Sequence, residues 1–220
     1  MLLASQLAQY GNVDDAIDML DKMLSQSKSP QVLNIALSLL SQRRDLIGST
    51  KDALVESWLI RSLQEEPESI SLLSLMARFR EIQNNHEEAE SLYRRLLQKP
   101  ELEGERRGIV LNNLAFLLAL QKKDLSDASR FVDEGIALFG PTAEMLDTRA
   151  VVKIALKDTS GAIEDLELAL QDNPTPSKYF HLVQAYLLAG DKQKANEAWN
   201  KGNELNLGPK TLSELEHKEY

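Results

Sequence analysis

TAEMLDTRAVVKIALKDTSGAIEDLELALQDNP, residues 142–174, is the stretch that decides the fold. Its first half has the pattern of a helix, in which Thr142 is a suitable N-cap and Glu144 lies in the positively polarised first turn. The apolar residues of this half spread over more than one helical face: Met145, Leu146, Ala150, Val151, Ile154 and Ala155. A helix with that distribution is expected to lie between two neighbouring elements.

The second half of the stretch predicts a second helix after a tight polar turn. Residues 157–161 break the apolar pattern with turn-forming side chains, among which Asp158 or Thr159 can cap the helix that follows. One-sided apolar spacing then runs through Ala162, Ile163, Leu166, Ala169 and Leu170. Pro174 ends the helix, because the residue before a proline is disfavoured in the helical conformation. The stretch is therefore a helical hairpin.

Variants of this hairpin recur along most of the chain. A small residue near the start of each predicted second helix recurs every 33 to 39 residues, at Ala16, Ala53, Ala89, Ala128, Ala162 and Ala195. A small residue within each first helix falls at Ala4, Ala36, Ala77, Ala115 and Ala150, with Val183 as the exception. Small side chains let two antiparallel helices approach closely. Regular spacing of both positions indicates a repeat protein.

These positions divide the chain into six predicted units and a terminal segment. The units cover residues 1–28, 29–66, 67–100, 108–140, 141–174 and 175–207. The second carries extra residues around positions 43–50, and residues 101–107 are interpreted as a loop between units. Residues 208–220 are predicted to form a polar capping helix that faces solvent.

A helix–turn–helix unit of about 34 residues with these small and large positions resembles the tetratricopeptide repeat (TPR). The turn pattern matches at Gly11-Asn12, Lys157-Asp158 and Gly190-Asp191, and the large residue after the second-helix alanine matches at Leu20, Tyr93, Val132, Leu166 and Trp199. Ser57 and Val183 depart from the pattern. The resemblance implies an all-α, right-handed superhelical α-solenoid of antiparallel helix pairs, in which the first helices line a concave groove.

The same resemblance places ten side chains towards that groove. They are Leu33, Leu37, Ser74, Arg78, Asn112, Phe116, Asp147, Val151, Phe180 and Gln184. Phe116 and Phe180 are candidate apolar anchors for a ligand. Arg78, Asn112 and Gln184 are candidate hydrogen-bonding partners of an extended backbone or a carboxylate. The alternative is that Leu37, Phe116 and Val151 pack between neighbouring helices.

Composition and charge exclude several classes of protein. Hydrophobic residues make up 43% of the chain, enough for a large core, and 34 acidic against 25 basic residues give a net charge of -9. This acidic balance disfavours nucleic acid and anionic membranes as partners. Neither a signal peptide nor an apolar run long enough to span a bilayer is recognisable, so we expect no membrane insertion. A soluble protein is expected, with the cytoplasm favoured, although the absence of cysteine leaves the redox compartment open.

The residues offer no recognisable catalytic or metal-binding constellation. The chain has no cysteine, and no two of its three histidines, His86, His181 and His217, have the spacing of a shared metal site. We interpret His86 as a turn or cap residue and His181 as a partly buried packing residue. Carboxylate pairs such as Glu87-Glu88 and Glu164-Asp165 are interpreted as solvated surface. Phosphate-binding and nucleophile-elbow motifs are missing, so we expect no enzyme activity, no cofactor and no metal.

Three hypotheses about function follow from the sequence. The first is a non-enzymatic scaffold that binds a peptide or protein segment in the concave groove. The alternative is a regulatory or assembly segment of a larger enzyme or multi-protein machine, truncated at its N-terminus, because the first unit places Met1 inside a helix. The third is self-association through the apolar ends of the solenoid. The sequence identifies neither the partner nor the cellular process.

Overall fold

The computed structural model describes residues 13–26, 29–42 and 47–217, and all regular secondary structure in these ranges is helical. The helices are α1 (Val13–Gln26), α2 (Pro30–Gln42), α3 (Thr50–Glu65), α4 (Ile70–Ile82), α5 (His86–Leu97), α6 (Gly104–Leu120), α7 (Leu125–Phe139), α8 (Ala143–Leu156), α9 (Thr159–Asp172), α10 (Pro176–Leu188), α11 (Lys192–Glu204) and α12 (Glu214–His217). A 3₁₀ turn at Pro209–Thr211 precedes α12. The predicted all-α fold is confirmed.

The chain divides into two compact units, Met1–Leu96 and Leu97–Tyr220. In the first unit, α2 packs against α1, α3 and α4. Its core contains fully buried side chains from each of these four helices, among them Ile17, Leu37, Leu59 and Phe79. Burial of this apolar surface is the main stabilising contribution to such a helical unit.

In the second unit the helices pair as consecutive hairpins, α6 with α7, α8 with α9 and α10 with α11. Each hairpin also contacts the next: α6 and α7 pack on α8, while α8 and α9 pack on α10. The first helices α6, α8 and α10 are therefore neighbours in a row. This is the nearest-neighbour stacking of a helical repeat protein, so the second unit is an α-solenoid.

The first hairpin of the second unit is held close by two glycines. A Cβ atom on Gly135 would lie 3.2 Å from the Gly108 carbonyl oxygen, and one on Gly108 would lie 3.3 Å from the Gly135 carbonyl oxygen. Either contact is tighter than ordinary Cβ contacts, so a side chain here would require the facing backbone to move by a few tenths of an ångström. Two bare backbones facing each other allow α6 and α7 to pack at short distance.

The prediction of a loop over residues 101–107 is wrong from Gly104 onward, because α6 begins there. Two contacts fix this first turn. Leu102 is buried just before the helix. Arg107 donates hydrogen bonds to the Leu97 carbonyl oxygen (3.0 Å) and to Glu134 on α7 (2.9 Å). The charged composition of the segment suggested a loop, whereas these tertiary partners make it helical.

The caps predicted for the opening stretch are confirmed. The Thr142 hydroxyl accepts a hydrogen bond from the Met145 amide at 3.3 Å. Asp158 caps α9 by accepting from the Gly161 amide at 3.1 Å. Between the two helices Lys157 adopts the left-handed conformation, with φ of 66°, which is a common way for a helix to end.

One of the predicted small-residue positions of the repeat differs from its prediction. The second-helix alanine is buried in the described units at Ala16, Ala89, Ala128, Ala162 and Ala195. Ala53 on α3 is instead exposed, and Val55 takes the inward position. The small residue predicted for the second unit is therefore two positions out of register with the buried face of α3. The predictions for Ala4 and Gly11-Asn12 lie outside the described residues.

Asp165 is also misplaced by the sequence interpretation, since it is buried rather than solvated. Its carboxylate accepts two hydrogen bonds from Arg149, at 2.8 and 2.6 Å, and lies 2.8 Å from Lys153 Nζ. Burial by itself would raise the pKa of Asp165, but these two cations outweigh it and lower the pKa. The cluster joins α8 to α9. Its neighbour Glu164 is exposed, as predicted.

Candidate functional site

The first helices of the second unit share a face that brings several predicted groove residues together. We name the face formed by α6, α8 and α10 the first-helix face. Val151 on α8 and Gln184 on α10 line the same cleft on this face. On α6, the ring of Phe116 lies 6.2 Å from that of His181 on α10. Asp147 on α8 contacts the same imidazole.

The cleft has an apolar lining and a charged rim. It encloses about 520 Å³ between Ala119, Leu120, Lys122, Val151, Ile154, Ala155, Lys157, Gln184, Leu187, Leu188, Leu215 and Glu216. Leu187 and Leu188, at the end of α10, are both exposed. Lys122 and Lys157 add positive charge where α6 and α8 end. A concave apolar surface with a few polar groups is the usual form of a ligand site.

A buried ionic cluster adjoins the cleft. His181 Nδ1 lies 2.7 Å from Asp147 Oδ1, and His181 Nε2 lies 2.8 Å from Glu216 Oε1. Burial by itself would lower the pKa of His181, but the two carboxylates raise it to about 10. Burial by itself would raise the pKa of Glu216, but the hydrogen bond from His181 lowers it, and the pKa is lowered overall. The imidazole is therefore a cation at neutral pH, held between two anions.

Residues 209–217, here named the C-terminal segment, supply the second of these anions. Leu212 is 1% exposed and clusters with Phe180 and Leu207, against which Trp199 also packs. Glu216 is 5% exposed. Its second oxygen accepts a hydrogen bond from the Ser213 amide at 2.5 Å.

The prediction that the chain ends in a solvent-facing capping helix is therefore corrected. The segment is a 3₁₀ turn followed by the four-residue helix α12, and it covers the end of the first-helix face. The polar composition of the segment predicted exposure to solvent. Glu216 is nevertheless buried, because His181 on α10 is its cationic partner. Burial of an ionised group is tolerated only where such a partner compensates it.

Four of the predicted groove residues are buried, and of these only Val151, which is 6% exposed, lines the cleft. Leu33 and Leu37 are fully buried in the core of the first unit, and Phe180 is buried beneath the C-terminal segment. Sequence register alone does not distinguish a side chain that faces a groove from one that points between two helices. We therefore remove Leu33 and Leu37 from the candidate contacts, whereas Phe180 is inaccessible while the C-terminal segment covers it.

In the first unit, the residue next to Leu33 takes the exposed position. Asn34 on α2 is exposed, and its Oδ1 accepts a hydrogen bond from Arg78 on α4 at 2.7 Å. Ser74, one turn before Arg78, donates to the Ile70 carbonyl oxygen at 2.8 Å. Arg78 and Ser74 are half-buried, so both retain surface that a ligand can contact.

Asn112 on α6 has an unusual environment. Its Oδ1 atom is buried and has no hydrogen-bond partner among the described residues. An unpaired buried polar atom normally carries a cost of about 1–3 kcal/mol. The sequence predicted this residue as a hydrogen-bonding candidate, and the structure leaves its acceptor unused.

The cluster around His181 was missed at the sequence level, although a signal was present. Asp147 and His181 are 34 residues apart, which is one repeat length. Residues one repeat apart occupy equivalent places on adjacent first helices, so the spacing alone could have paired them. Glu216 carried no comparable signal, because it lies outside the repeats. The side chain of His217 lies outside the described part of the structure.

Two further findings concern the part of the chain that the structure describes. It contains no group of three or more histidine, aspartate or glutamate side chains arranged to hold a metal ion. Within the same residues, no helix combines the length and the apolar character needed to cross a membrane.

Comparison with solved structures supports the fold described above. The Pseudomonas aeruginosa protein pilF superimposes with a TM-score of 0.65 at 18% identity, over 99% of this chain and 93% of that chain. A TPR protein from Parabacteroides merdae gives 0.63 at 16% identity, over 92% and 77%. A thermophilic TPR protein from Thermus thermophilus gives 0.62 at 20% identity, over 79% and 91%.

The chain therefore has the TPR fold, and in architecture it is a TPR-type repeat protein. Neither a protein-family model nor a curated protein matches the sequence. The likeness to the solved structures is one of fold, since fewer than a quarter of the residues are identical. Function has to be argued from the residues of the site itself.

Proposed function

We propose that this protein is a non-enzymatic scaffold that binds a peptide or protein segment on the first-helix face of its second unit. The observation that carries the proposal is the apolar cleft on that face, with Leu187 and Leu188 exposed beside Gln184. Exposed leucines in a concave surface lose contact with water when a partner covers them, which is the main driving force for association.

An apolar cleft does not by itself fix the orientation of a bound peptide, and the polar groups of the face supply the contacts that do so. The side-chain amide of Gln184 can both donate to and accept from a peptide backbone. Lys122 and Lys157 favour a ligand with acidic residues near the ends of α6 and α8. Phe116 on α6 and Val151 on α8 are proposed as apolar contacts, and Asn112 and Asp147 on the same two helices as polar ones. Ser74 and Arg78 remain separate proposed polar contacts, on the surface of the first unit itself.

The proposal is consistent with what the fold usually does, since TPR-type folds typically serve as non-catalytic scaffolds. Stacked helical repeats present extended surfaces, and partner segments bind them through several shallow contacts and a few anchors. Affinity then depends on the quality of those anchors rather than on the area covered.

A selection from a random peptide display library tests this proposal, because it assumes nothing about the partner. Peptides enriched on the full chain are expected to lose at least roughly tenfold in affinity for Leu187→Glu, since a charge then occupies the apolar lining. Leu168→Glu is the matched control. Leu168 is 52% exposed against 55% for Leu187, but it lies on α9, outside the cleft.

The controls also define the result that would overturn the proposal. Enriched peptides that bind both variants as tightly as the original chain would place the binding surface elsewhere. Repeated selections that enrich no peptide for the folded chain would remove the proposed function altogether. Circular dichroism of both variants establishes that each remains folded.

A further inference from the structure

We propose that the place occupied by Leu212 and Glu216 is itself a recognition site for a short acidic, leucine-containing segment of a partner protein, and that the C-terminal segment fills this site when no partner is bound. This inference rests on the proposed function and specifies its ligand. The ligand is a short segment in which an extended leucine precedes by four residues a glutamate that lies in a single helical turn, as Leu212 and Glu216 do here. The structure shows which residues contact Leu212 and Glu216, the two side chains that the ligand would replace.

The carboxylate has a prearranged cationic partner. Asp147, from α8, lies 2.7 Å from Nδ1 of His181, so the ring is oriented with Nε2 towards Glu216. The imidazole is 1% exposed in its side chain, so the pair is shielded from solvent. Ion pairs shielded in this way contribute to specificity, because removing one partner leaves an uncompensated charge.

The leucine has an apolar pocket. Leu212 lies with Phe180 and Leu207, and Trp199 packs against the same cluster. Leu207 comes from the turn after α11, whereas Phe180 belongs to α10. The pocket is thus built by the last hairpin and the residues that follow it, and the C-terminal segment is its occupant.

The occupant itself is short. It consists of a three-residue 3₁₀ turn, the two non-helical residues Leu212 and Ser213, and the four-residue helix α12. Helices of this length have no stability of their own in water, so the segment holds its shape through its contacts with the solenoid. Those contacts include the ionic contact of Glu216 and the apolar contact of Leu212.

The unfilled cleft explains how a partner would displace the segment. Leu215 and Glu216 line the cleft together with Leu187 and Leu188, which stay exposed while the segment is in place. A tethered segment competes at an effective concentration in the millimolar range. A partner that reproduces the leucine and the carboxylate and continues into the cleft gains apolar burial that the chain's own segment does not make.

Binding of the peptide PKTLSELEH, residues 209–217, tests the inference directly. The fluorescently labelled peptide is titrated against the full chain and against its Glu216→Gln variant, with fluorescence anisotropy as the readout. We expect at least roughly tenfold tighter binding to Glu216→Gln, because the variant's own segment competes less well. The same peptide carrying Glu216→Gln should lose at least roughly tenfold in affinity for that variant.

A matched control and a second measurement keep the test decisive. Glu204→Gln removes an exposed carboxylate at the end of α11 and should bind the peptide like the unaltered chain. If Glu216→Gln does not fold, hydrogen exchange on the unaltered chain replaces it. Excess peptide should then accelerate amide exchange in residues 209–217, and the peptide without the carboxylate should not.

Three results would overturn the inference. The first is equal affinity of the peptide for the unaltered chain and for a folded Glu216→Gln variant. The second is binding or exchange that does not depend on the peptide's carboxylate, and the third is that PKTLSELEH does not bind at all. Library peptides that bind through Leu187 while PKTLSELEH does not bind would remove this inference and leave the proposed function intact. Failure of both experiments would remove both.

Discussion

His181 Nε2 and Glu216 Oε1 lie 2.8 Å apart, joining α10 to a segment 35 residues further along the chain. The contact is buried, and Asp147 contacts the opposite nitrogen of the same ring. Three elements, α8, α10 and the C-terminal segment, therefore meet at one imidazole. Its protonation state and the placement of the C-terminal segment are linked.

This link predicts a loss of stability at alkaline pH. The folded pKa of His181, about 10, lies above the ordinary value of 6.5, so its contribution is complete below about pH 6.5 and disappears as pH rises towards 10. The groups facing the ring are Asp147 from α8 and Glu216 from the C-terminal segment. We expect the melting temperature to fall between pH 7 and pH 10.

Tryptophan fluorescence can follow this change locally. The chain has two tryptophans, so Trp58→Phe leaves Trp199 as the single reporter beside the Leu212 cluster. Its emission should shift to the red over the same pH range. In a folded His181→Gln variant the pH dependence should largely vanish, because glutamine does not titrate. Parallel pH profiles in both proteins would contradict the assignment.

Replacing the buried carboxylate of the α8–α9 cluster should destabilise the second unit. Asp165→Asn leaves Arg149 and Lys153 without their shared anion, and breaking a buried pair typically costs about 3–5 kcal/mol. Because Arg149 is partly exposed, we expect a value at or below the lower end of that range. Chemical denaturation gives the free energy of unfolding. Glu164→Gln, at an exposed neighbour, should change it by less than about 0.5 kcal/mol.

The glycine contact between α6 and α7 should not tolerate a side chain. Gly135→Leu forces side-chain atoms against the Gly108 backbone, and overpacking of this kind costs about 1–3 kcal/mol or more. Ala137→Leu lies two residues further along α7 at an exposed position and is the control. Thermal unfolding of the two variants should separate them clearly. Equal melting temperatures would show that the helices can move apart at little cost.

In the first unit, Glu81 should make stability depend on pH in the neutral range. Burial raises its pKa to about 7, against the lowering effects of the Tyr93 hydrogen bond and of Arg78. A carboxyl group with a raised folded pKa stabilises the protein at low pH and loses that contribution as pH rises from about 4.5 to about 7. Glu81→Gln should therefore raise the melting temperature relative to the original chain at pH 8 and have a smaller effect at pH 5.

The measurement at two pH values provides its own control. Glutamine retains an oxygen that can accept the 2.5 Å hydrogen bond from the Tyr93 hydroxyl, so the variant changes charge more than contact. An equal effect of Glu81→Gln at pH 5 and pH 8 would indicate a packing change instead. Tyr93→Phe, which removes the donor, should destabilise the chain at both pH values.

The sequence by itself determined the helical repeat and much of its local chemistry. Apolar periodicity, the small residues Ala89, Ala128 and Ala162, and the caps Thr142 and Asp158 follow from rules that act within a few residues along the chain. These features were correct because a helix turn depends mainly on neighbours three or four positions away. The same rules do not reach contacts set by the angle at which two helices meet.

The tertiary structure alone decided which side chains are accessible and that the C-terminal segment covers the end of the first-helix face. Ala53 proved exposed and Leu33 and Leu37 proved buried, because each outcome depends on the rotation of one helix against another. Residues 104–107 proved helical, and there Arg107 donates to the Leu97 carbonyl oxygen and to Glu134. The meeting of His181 with Glu216 depends on a distant segment folding back. A sequence pattern records periodicity, whereas charge pairing across 35 residues is fixed only when the packed helices bring the two groups together.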